Sequence, residues 1–203
     1  MSSPTADRRD RAAAAAAFAL GQRHEAKGEL ELARQYYEAA RNADPGYLPI
    51  LIRLSFLDFR AGRYEEGIGR LEAGLQQAGQ RATIHSLLAF AYLQTGKLEL
   101  AEAEAMRSWE ADPGLAANYR ILASIYRDTL RLDQIDELAR KTLEAKIEEA
   151  EAWVRLGDTF GQILLHHSES VIAERIRPYF EKAVALDPQS AHAQLRLGET
   201  LLR

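Results

Sequence analysis

Apolar and turn-forming residues recur along the chain at a constant step of 34 positions. Several independent columns share this step, which is the length of a helix–turn–helix unit that stacks on its neighbours. The pattern therefore predicts an array of similar helical pairs. The columns are Leu20, Leu54, Leu88, Leu122 and Leu156; Gly28, Gly62 and Gly96; Pro45, Gly79 and Pro113; and Ala33, Gly67 and Ala101, with Ile135 in the next place.

The residues between these columns indicate how each pair is built. A leucine and an aromatic residue one turn apart on the first helix face the neighbouring helix. A small residue follows the leucine, which lets the two helices of a pair approach closely. Glycine occupies the tight turn because a left-handed backbone conformation favours it. The small residues are Gly21, Ser55, Ala89, Ala123 and Gly157.

Two segments resemble the consensus of the tetratricopeptide repeat (TPR) family. Trp153-x-x-Leu156-Gly157-x-x-Phe160 and the shorter Leu20-Gly21-x-x-His24 are similar to its first helix, and Ala33-x-x-x-Tyr37-x-x-Ala40-x-x-x-x-Pro45 to its second. The resemblance implies an all-α fold, a right-handed superhelix of antiparallel helix pairs. The expected layout is an N-terminal helix extension at 1–13 and a single solenoid at 14–203, with repeats at about 14–47, 48–81, 82–115, 116–149 and 150–190 and a half-repeat at 191–203.

Two repeats depart from the pattern. The fourth has Leu130 where glycine is expected and Ile147 where proline is expected, which predicts a longer turn or a different junction. The fifth is seven residues longer than the step of 34, with the extra segment around His166 to Ser170. Pro178 falls inside its second helix, where it is expected to kink or restart the helix.

Composition narrows the classes of partner and site. The net charge of −4 comes without a stripe of lysine and arginine, so no nucleic acid partner is expected. The chain has no cysteine, which excludes disulfides and cysteine metal sites and suits the cytoplasm, with the periplasm open if the natural protein is longer. No apolar run is long enough to span a membrane. The basic and alanine-rich N-terminus mimics a signal peptide, but cleavage there would destroy the first repeat.

No catalytic motif is present, so the chain is expected not to be an enzyme and to need no cofactor. His166 and His167 are adjacent, and neighbouring side chains on a helix diverge by about 100 degrees, so the pair is interpreted as a polar loop rather than a metal site. His24 and the tyrosines at helical spacing are interpreted as packing residues.

The family resemblance implies that the first helix of each pair lines a concave surface that binds other proteins. The register places apolar residues there in the first three repeats and arginines in the fourth, which predicts a protein or peptide ligand with apolar anchors and acidic groups. Ser86 and Val154 are also expected to face inward. The alternative is that the register is shifted slightly and the phenylalanines belong to the core. The predicted groove residues are Phe18, Gln22, Ile52, Phe56, Phe59, Phe90, Leu93, Arg120 and Arg127.

The leading hypothesis is a non-catalytic protein-interaction scaffold. Two alternatives stay open: a structural assembly module, and an N-terminal segment of a larger enzyme or secretion machine.

In the terminal half-repeat, Gly198 occupies the small-residue position although the chain stops at Arg203 before a second helix begins. Either the natural protein continues beyond Arg203 or another copy packs against this end, and self-association of the 203-residue chain through this helix is expected. The family members that hold acidic chaperone tails use a lysine and asparagines in the groove, which this chain lacks.

Overall fold

The computed structural model of the chain describes residues 4–78, 82–165 and 167–202. Throughout these residues the regular secondary structure is α-helical, and none of them lies in a strand. The all-α fold predicted from the sequence is therefore confirmed. Gly79, His166 and Arg203, which entered the sequence analysis, lie outside the described residues.

The helices group into two compact units, one up to Thr95 and one from Gly96 onward. The first unit contains α1 Pro4–Ala26, α2 Leu30–Ala43, α3 Leu48–Arg60, α4 Tyr64–Ala78 and α5 Ala82–Gln94. The second contains α6 Leu98–Ala111, α7 Ala116–Asp128, α8 Leu132–Glu144, α9 Ala150–Ile163, α10 Glu169–Leu186 and α11 Ala191–Leu201. Within each unit, helices joined by such short turns pack side by side and run antiparallel.

The tight turns within the helix pairs depend on a left-handed residue. Gly28 and Gly62 have φ angles of 78° and 74°, where glycine carries no side-chain penalty. At the α1–α2 turn, the amide of Gly28 donates to Glu25 and the amide of Glu29 donates to His24. These bonds satisfy carbonyl groups at the end of α1 that have no partner inside the helix.

Leu130 forms the same turn without being a glycine. Its φ angle is 58°, its amide donates to Arg127 and the next amide donates to Tyr126, as in the first repeat. The expected longer turn is wrong, because the chain accepts a left-handed leucine, at a cost of about 1–2 kcal/mol. The following junction does differ. Residues 145–149 separate α8 from α9, and the carbonyl of Ile147 accepts a 3.0 Å bond from the Trp153 indole.

The predicted leucine column lies in the core from the second repeat onward. Leu54, Leu88, Leu122 and Leu156 are at most 1% exposed. In the first unit, Leu54 belongs to one buried cluster with Tyr37 and Ala40 of α2, the second helix of the preceding repeat. Leu20 lies on α1, the first described helix, and is 40% exposed. In the second repeat, the leucine of this column therefore packs the first helix against the helix before it.

The small-residue column explains how the helices of a pair approach. A Cβ atom at Gly21 would collide with the Tyr37 ring of α2, and one at Gly157 would meet the Phe180 ring of α10 at 2.6 Å. Both rings are fully buried. The glycine and the aromatic residue are thus a matched pair, which explains the close approach that the small residue predicted.

The longer fifth repeat is built from a longer turn and a longer second helix. Residues 164–168 separate α9 from α10, and α10 has 18 residues against 14 in α2 and α6. Pro178 lies inside α10, so the expected restart of the helix is wrong, whereas a kink at this proline stays a prediction. Proline removes one helical donor, but Tyr179 and Phe180 are 1% and 0% exposed, and their burial stabilises the segment across it.

Candidate protein-binding surfaces

The first unit exposes two phenylalanines at equivalent places on its first helices. Phe56 of α3 is 41% exposed and Phe90 of α5 is 39% exposed, and they lie 34 positions apart. Ile52 and Leu93 on the same helices are partly buried. We call these four residues the phenylalanine surface. The surface therefore presents two aromatic side chains to solvent at register positions that repeat.

Phe59 does not belong to that surface. The sequence placed it in the groove, but it is only 5% exposed. Gly67 has no side chain, so the Phe59 ring occupies the space where a Cβ atom would stand, and it stacks on Tyr64 with ring centroids 5.8 Å apart. The Phe90 ring rests against it at 6.1 Å. Phe59 is therefore a core residue that supports Phe90.

The first repeat contributes one packed and one exposed residue. Phe18 is partly buried, with its ring centroid 5.5 Å from that of Tyr37 and 5.6 Å from that of Tyr47. Gln22, one turn further along α1, is exposed. Of the two, Gln22 has its side chain in solvent, whereas Phe18 mainly joins α1 to α2 and to the residue before α3.

Two further inward assignments are corrected by burial. Ser86 is 7% exposed and Val154 is 1% exposed, so neither offers its side chain to a ligand. Both stand at the same place in the register as the partly buried Ile52 and the exposed Arg120, so the burial of this position varies between repeats.

In the second unit, α7 presents two arginines to solvent. Both Arg120 and Arg127 are exposed. Among the described residues, the carboxylate that pairs with Arg127 is that of its neighbour Asp128, 3.8 Å away. Arg196 of α11 is different, because its Nε donates a 2.8 Å bond to Asp158 of α9. Arg120 and Arg127 therefore supply accessible positive charge, while Arg196 joins two helices.

Burial and hydrogen bonding explain the shifted pKa values in this protein. Burial is the main cause of the raised pKa values of Tyr37, Tyr119 and Tyr179. The hydrogen bond to His24, at 2.5 Å, is the main cause of the lowered pKa of Glu29. The His24 ring also stacks on Tyr36, 5.1 Å between centroids. Within residues 4–78, 82–165 and 167–202, no group of three or more histidine, aspartate or glutamate side chains could hold a metal ion.

Sequence reasoning missed two features. One is the buried carboxylate of Asp58. It occupies a register position that is aromatic in other repeats, so the sequence did not indicate which residues would pair with it. The other is a cleft in the second unit, between the α7–α8 turn and the α9–α10 turn, lined by Leu132, Ile163 and Leu164 among others. Its signal was present in the sequence, because repeats four and five depart from the pattern at these turns.

Among the described helices, none is long and apolar enough to cross a membrane.

A family model for the tetratricopeptide repeat matches residues 24–89 and, in a second overlapping match, residues 58–125. Together the matches extend over half of the chain, and the register of α1 to α7 follows them. The chain therefore belongs to the tetratricopeptide repeat family. No curated protein matches its sequence.

Solved structures show the same fold. The crystal structure of MamA protein is 20% identical, with a TM-score of 0.57 over 88% of this chain and 94% of that one. YrrB, described as a TPR protein with an unusual peptide-binding site, is 16% identical, with a TM-score of 0.53 over 88% and 89%. The first TPR of Spaghetti (RPAP3), bound to the HSP90 peptide SRMEEVD, is 18% identical, with a TM-score of 0.56 over 59% and 95%. At these identities the likeness establishes the fold.

Proposed function

We propose that the chain is a non-catalytic scaffold that binds a peptide or an amphipathic helix of another protein on the phenylalanine surface. The observation that carries the proposal is the exposure of Phe56 and Phe90, about two fifths each, at equivalent positions of α3 and α5. The buried Phe59 supports Phe90 from below. Rigid aromatic side chains that stay partly exposed are typical anchors of protein interfaces.

Phe56 and Phe90 are far more exposed than the core residues of the same helices. Leu54 and Leu88, at most 1% exposed, make buried contacts, whereas the two phenylalanines are 41% and 39% exposed. An apolar residue that repeats at a solvent-facing position indicates an interaction site rather than core packing. An amphipathic helix could place its apolar stripe along such a surface, as in other helix-in-groove complexes.

The comparisons support this class of function without naming the ligand. YrrB is described as having a peptide-binding site, and the Spaghetti domain is bound to a peptide that ends in acidic and apolar residues. This chain has Phe18, Gln22 and Arg53 where chaperone-tail binders of the family use a lysine and asparagines. We therefore propose an apolar anchor as the main determinant of binding in the first unit.

Substitution of both exposed phenylalanines tests the proposal. We expect Phe56→Ala combined with Phe90→Ala to keep the helical circular dichroism of the wild type and to lose, by about tenfold or more, its capture of partner proteins identified by mass spectrometry. Leu32→Ala is the matched control, because Leu32 of α2 is 43% exposed and lies outside the surface. Equal capture by the double variant and the control would contradict the proposal, and an unfolded double variant would place both residues in the core.

A second candidate is assembly of the chain with itself through α11. Leu195 and Leu201 of this helix are 60% and 63% exposed. A Cβ atom at Gly198 would meet nothing within 4 Å, whereas the equivalent Gly157 is covered by Phe180. The glycine position that receives an aromatic ring in the fifth repeat is thus open on α11. We propose that a second copy of the chain covers it.

A further inference from the structure

Helix α11 holds its arginine on its own unit and turns an uncharged apolar face outward. Arg196 donates to Asp158 of α9, so its charge is used inside the second unit. Leu195 and Leu201 are 60% and 63% exposed, and they stand three residues before and three residues after Gly198. With one face on its own unit and an apolar face in solvent, α11 can act as an amphipathic ligand helix.

Glycines inside the helices of this chain are covered by aromatic rings in three places. In each of them, an added Cβ atom would collide with a ring that is at most 5% exposed. The pairs are Gly21 with Tyr37, Gly67 with Phe59 and Gly157 with Phe180. A phenyl or phenol ring over a helical glycine is therefore a recurrent contact in this chain.

Among the described residues, two glycines inside helices are uncovered. A Cβ atom at Gly69 or Gly198 would meet nothing within 4 Å. Exposed Glu66 and Glu72 stand three residues before and after Gly69, which keeps that part of α4 hydrated. Leucines stand at the same two places around Gly198. Gly198 is therefore the open glycine whose surroundings favour an apolar cover.

The phenylalanine surface presents rings that such a glycine can receive. Phe90 lies 6.1 Å from Phe59, which follows Phe56 by about one turn of α3. The two exposed rings therefore stand roughly 10 Å apart, the diameter of one helix. Leu195 and Leu201 are about 9 Å apart along α11, at the usual rise per residue. One helix can thus cover both rings, with one ring over the glycine between its leucines.

The charges around the two faces are compatible with this contact. Helix α5 has no aspartate, glutamate, lysine or arginine, and on α3 the Arg53 side chain pairs with Glu25 at 3.5 Å. Arg60 is exposed one turn after Phe56. The arginine of α11, Arg196, is already paired and brings no free positive charge to Arg60. An uncharged apolar helix face therefore suits the phenylalanine surface.

We propose that α11 of a second copy of the chain binds the phenylalanine surface, with an exposed phenylalanine ring over Gly198. The contact joins two different surfaces, so each copy has both a donor helix and an acceptor surface. The inference rests on the proposed function for the surface that it uses, and it names a ligand of that surface. Assembly of copies and capture of other proteins then exclude one another at Phe56 and Phe90.

Two variants that each lose one half of the contact test the proposal. Phe56→Ala with Phe90→Ala loses the acceptor surface, and Leu195→Glu with Leu201→Glu loses the donor face. We expect each variant alone to be a monomer in sedimentation across a wide concentration range in which the mass of the wild type rises. In an equimolar mixture, the intact α11 of the first variant binds the intact surface of the second, and the mass should approach that of a dimer. A mixture that stays monomeric would overturn the proposal.

Gly198→Leu separates binding from folding. Because an added side chain meets nothing in its own chain and leucine favours a helix over glycine, we expect a thermal midpoint equal to or above that of the wild type. The leucine fills the space of the phenylalanine ring, so self-association should weaken by about tenfold or more. Gly69→Leu, at the other open glycine, is the matched control and should assemble as the wild type does. Equal assembly of the two variants would contradict a contact at Gly198.

The same variants tell the failure of this inference from the failure of the proposed function. If Phe56→Ala with Phe90→Ala self-associated as the wild type does but lost its capture of other proteins, this inference would be wrong and the proposed function would stand. If it became monomeric but still captured them, the proposed function would be wrong and the contact with α11 would stand. Circular dichroism checks the fold of each variant, and Phe56→Gln replaces the double variant in the mixture if that variant unfolds.

Discussion

Asp58 holds a buried carboxylate that three arginines share. Its side chain is 2% exposed, and it contacts Arg34 of α2 at 2.8 Å, Arg63 of the α3–α4 turn at 3.2 Å and Arg70 of α4 at 2.9 Å. A charge removed from water is tolerated only where such partners surround it. Asp58 therefore joins α2, α3 and α4 by one side chain, directly before Phe59.

We expect Asp58→Asn to destabilise the chain by about 3–5 kcal/mol, because three arginines would be left around a neutral group. Chemical denaturation at neutral pH, followed by circular dichroism, measures this loss. Asp128→Asn is the control, since the Asp128 side chain is 57% exposed. A change at Asp58 no larger than that at Asp128 would show that the arginines contribute nothing beyond surface pairing.

The pH dependence of the free energy of unfolding should also reflect the ion pairs of Asp58. Burial alone would raise the pKa of Asp58, but the hydrogen bonds from Arg70 and Arg34 and their charges outweigh it and hold the pKa below its ordinary value of 3.8. A carboxyl group with a lowered pKa in the folded state stabilises fully above the unfolded pKa and loses that effect as the pH falls. The wild type should therefore lose stability below pH 3.8 more steeply than Asp58→Asn.

Individual residues also show where sequence reasoning ended. The register placed Phe56, Phe59 and Phe90 together, and the structure separates Phe59 from the other two. The cause is Gly67, which leaves a space that the ring enters. Whether an aromatic residue at an inward position faces solvent or a neighbouring glycine depends on two helices at once. A single helix pattern does not contain that information.

At the scale of helices, most of the fold was predictable. The step of 34 gave the order of the helices, the turn glycines and the leucine column. It did not give the continuity of α10 through Pro178, because local propensity favours a break there and the burial of Tyr179 and Phe180 overrides it. It also did not give the left-handed Leu130, since propensity assigns that conformation to glycine.

The close approach of α9 and α10 at Gly157 leaves no room for a side chain there. Gly157→Ala should destabilise by about 1–3 kcal/mol, because the added methyl group meets the buried Phe180 ring. Gly69→Ala is the matched control, since Gly69 is also inside a helix but has nothing within 4 Å of the added atom. It should be neutral or stabilise by up to about 1 kcal/mol. Thermal unfolding of both variants checks the contrast, and equal effects would contradict the matched pairing of glycine and aromatic residue.

At the scale of the whole molecule, the family and the helical fold are established, whereas the single solenoid at 14–203 stays a prediction. The two compact units carry different chemistry. The first exposes an aromatic pair, and the second combines exposed arginines with a cleft. The second unit also carries α11, so each unit supplies its own proposed contact, and the substitutions above address them one at a time.

Self-association is a property of the whole chain, and α11 is the proposed contact. We expect the average mass measured by light scattering to rise with protein concentration, because Leu195, Leu201 and the open side of Gly198 present an apolar helix face to water. Leu195→Glu with Leu201→Glu should return the chain to a monomer while its helical circular dichroism stays unchanged, since both side chains are more than half exposed. Leu197 is partly buried, so Leu197→Glu tests instead whether α11 packs on its own unit. A wild type that is monomeric at every concentration would refute assembly through this helix.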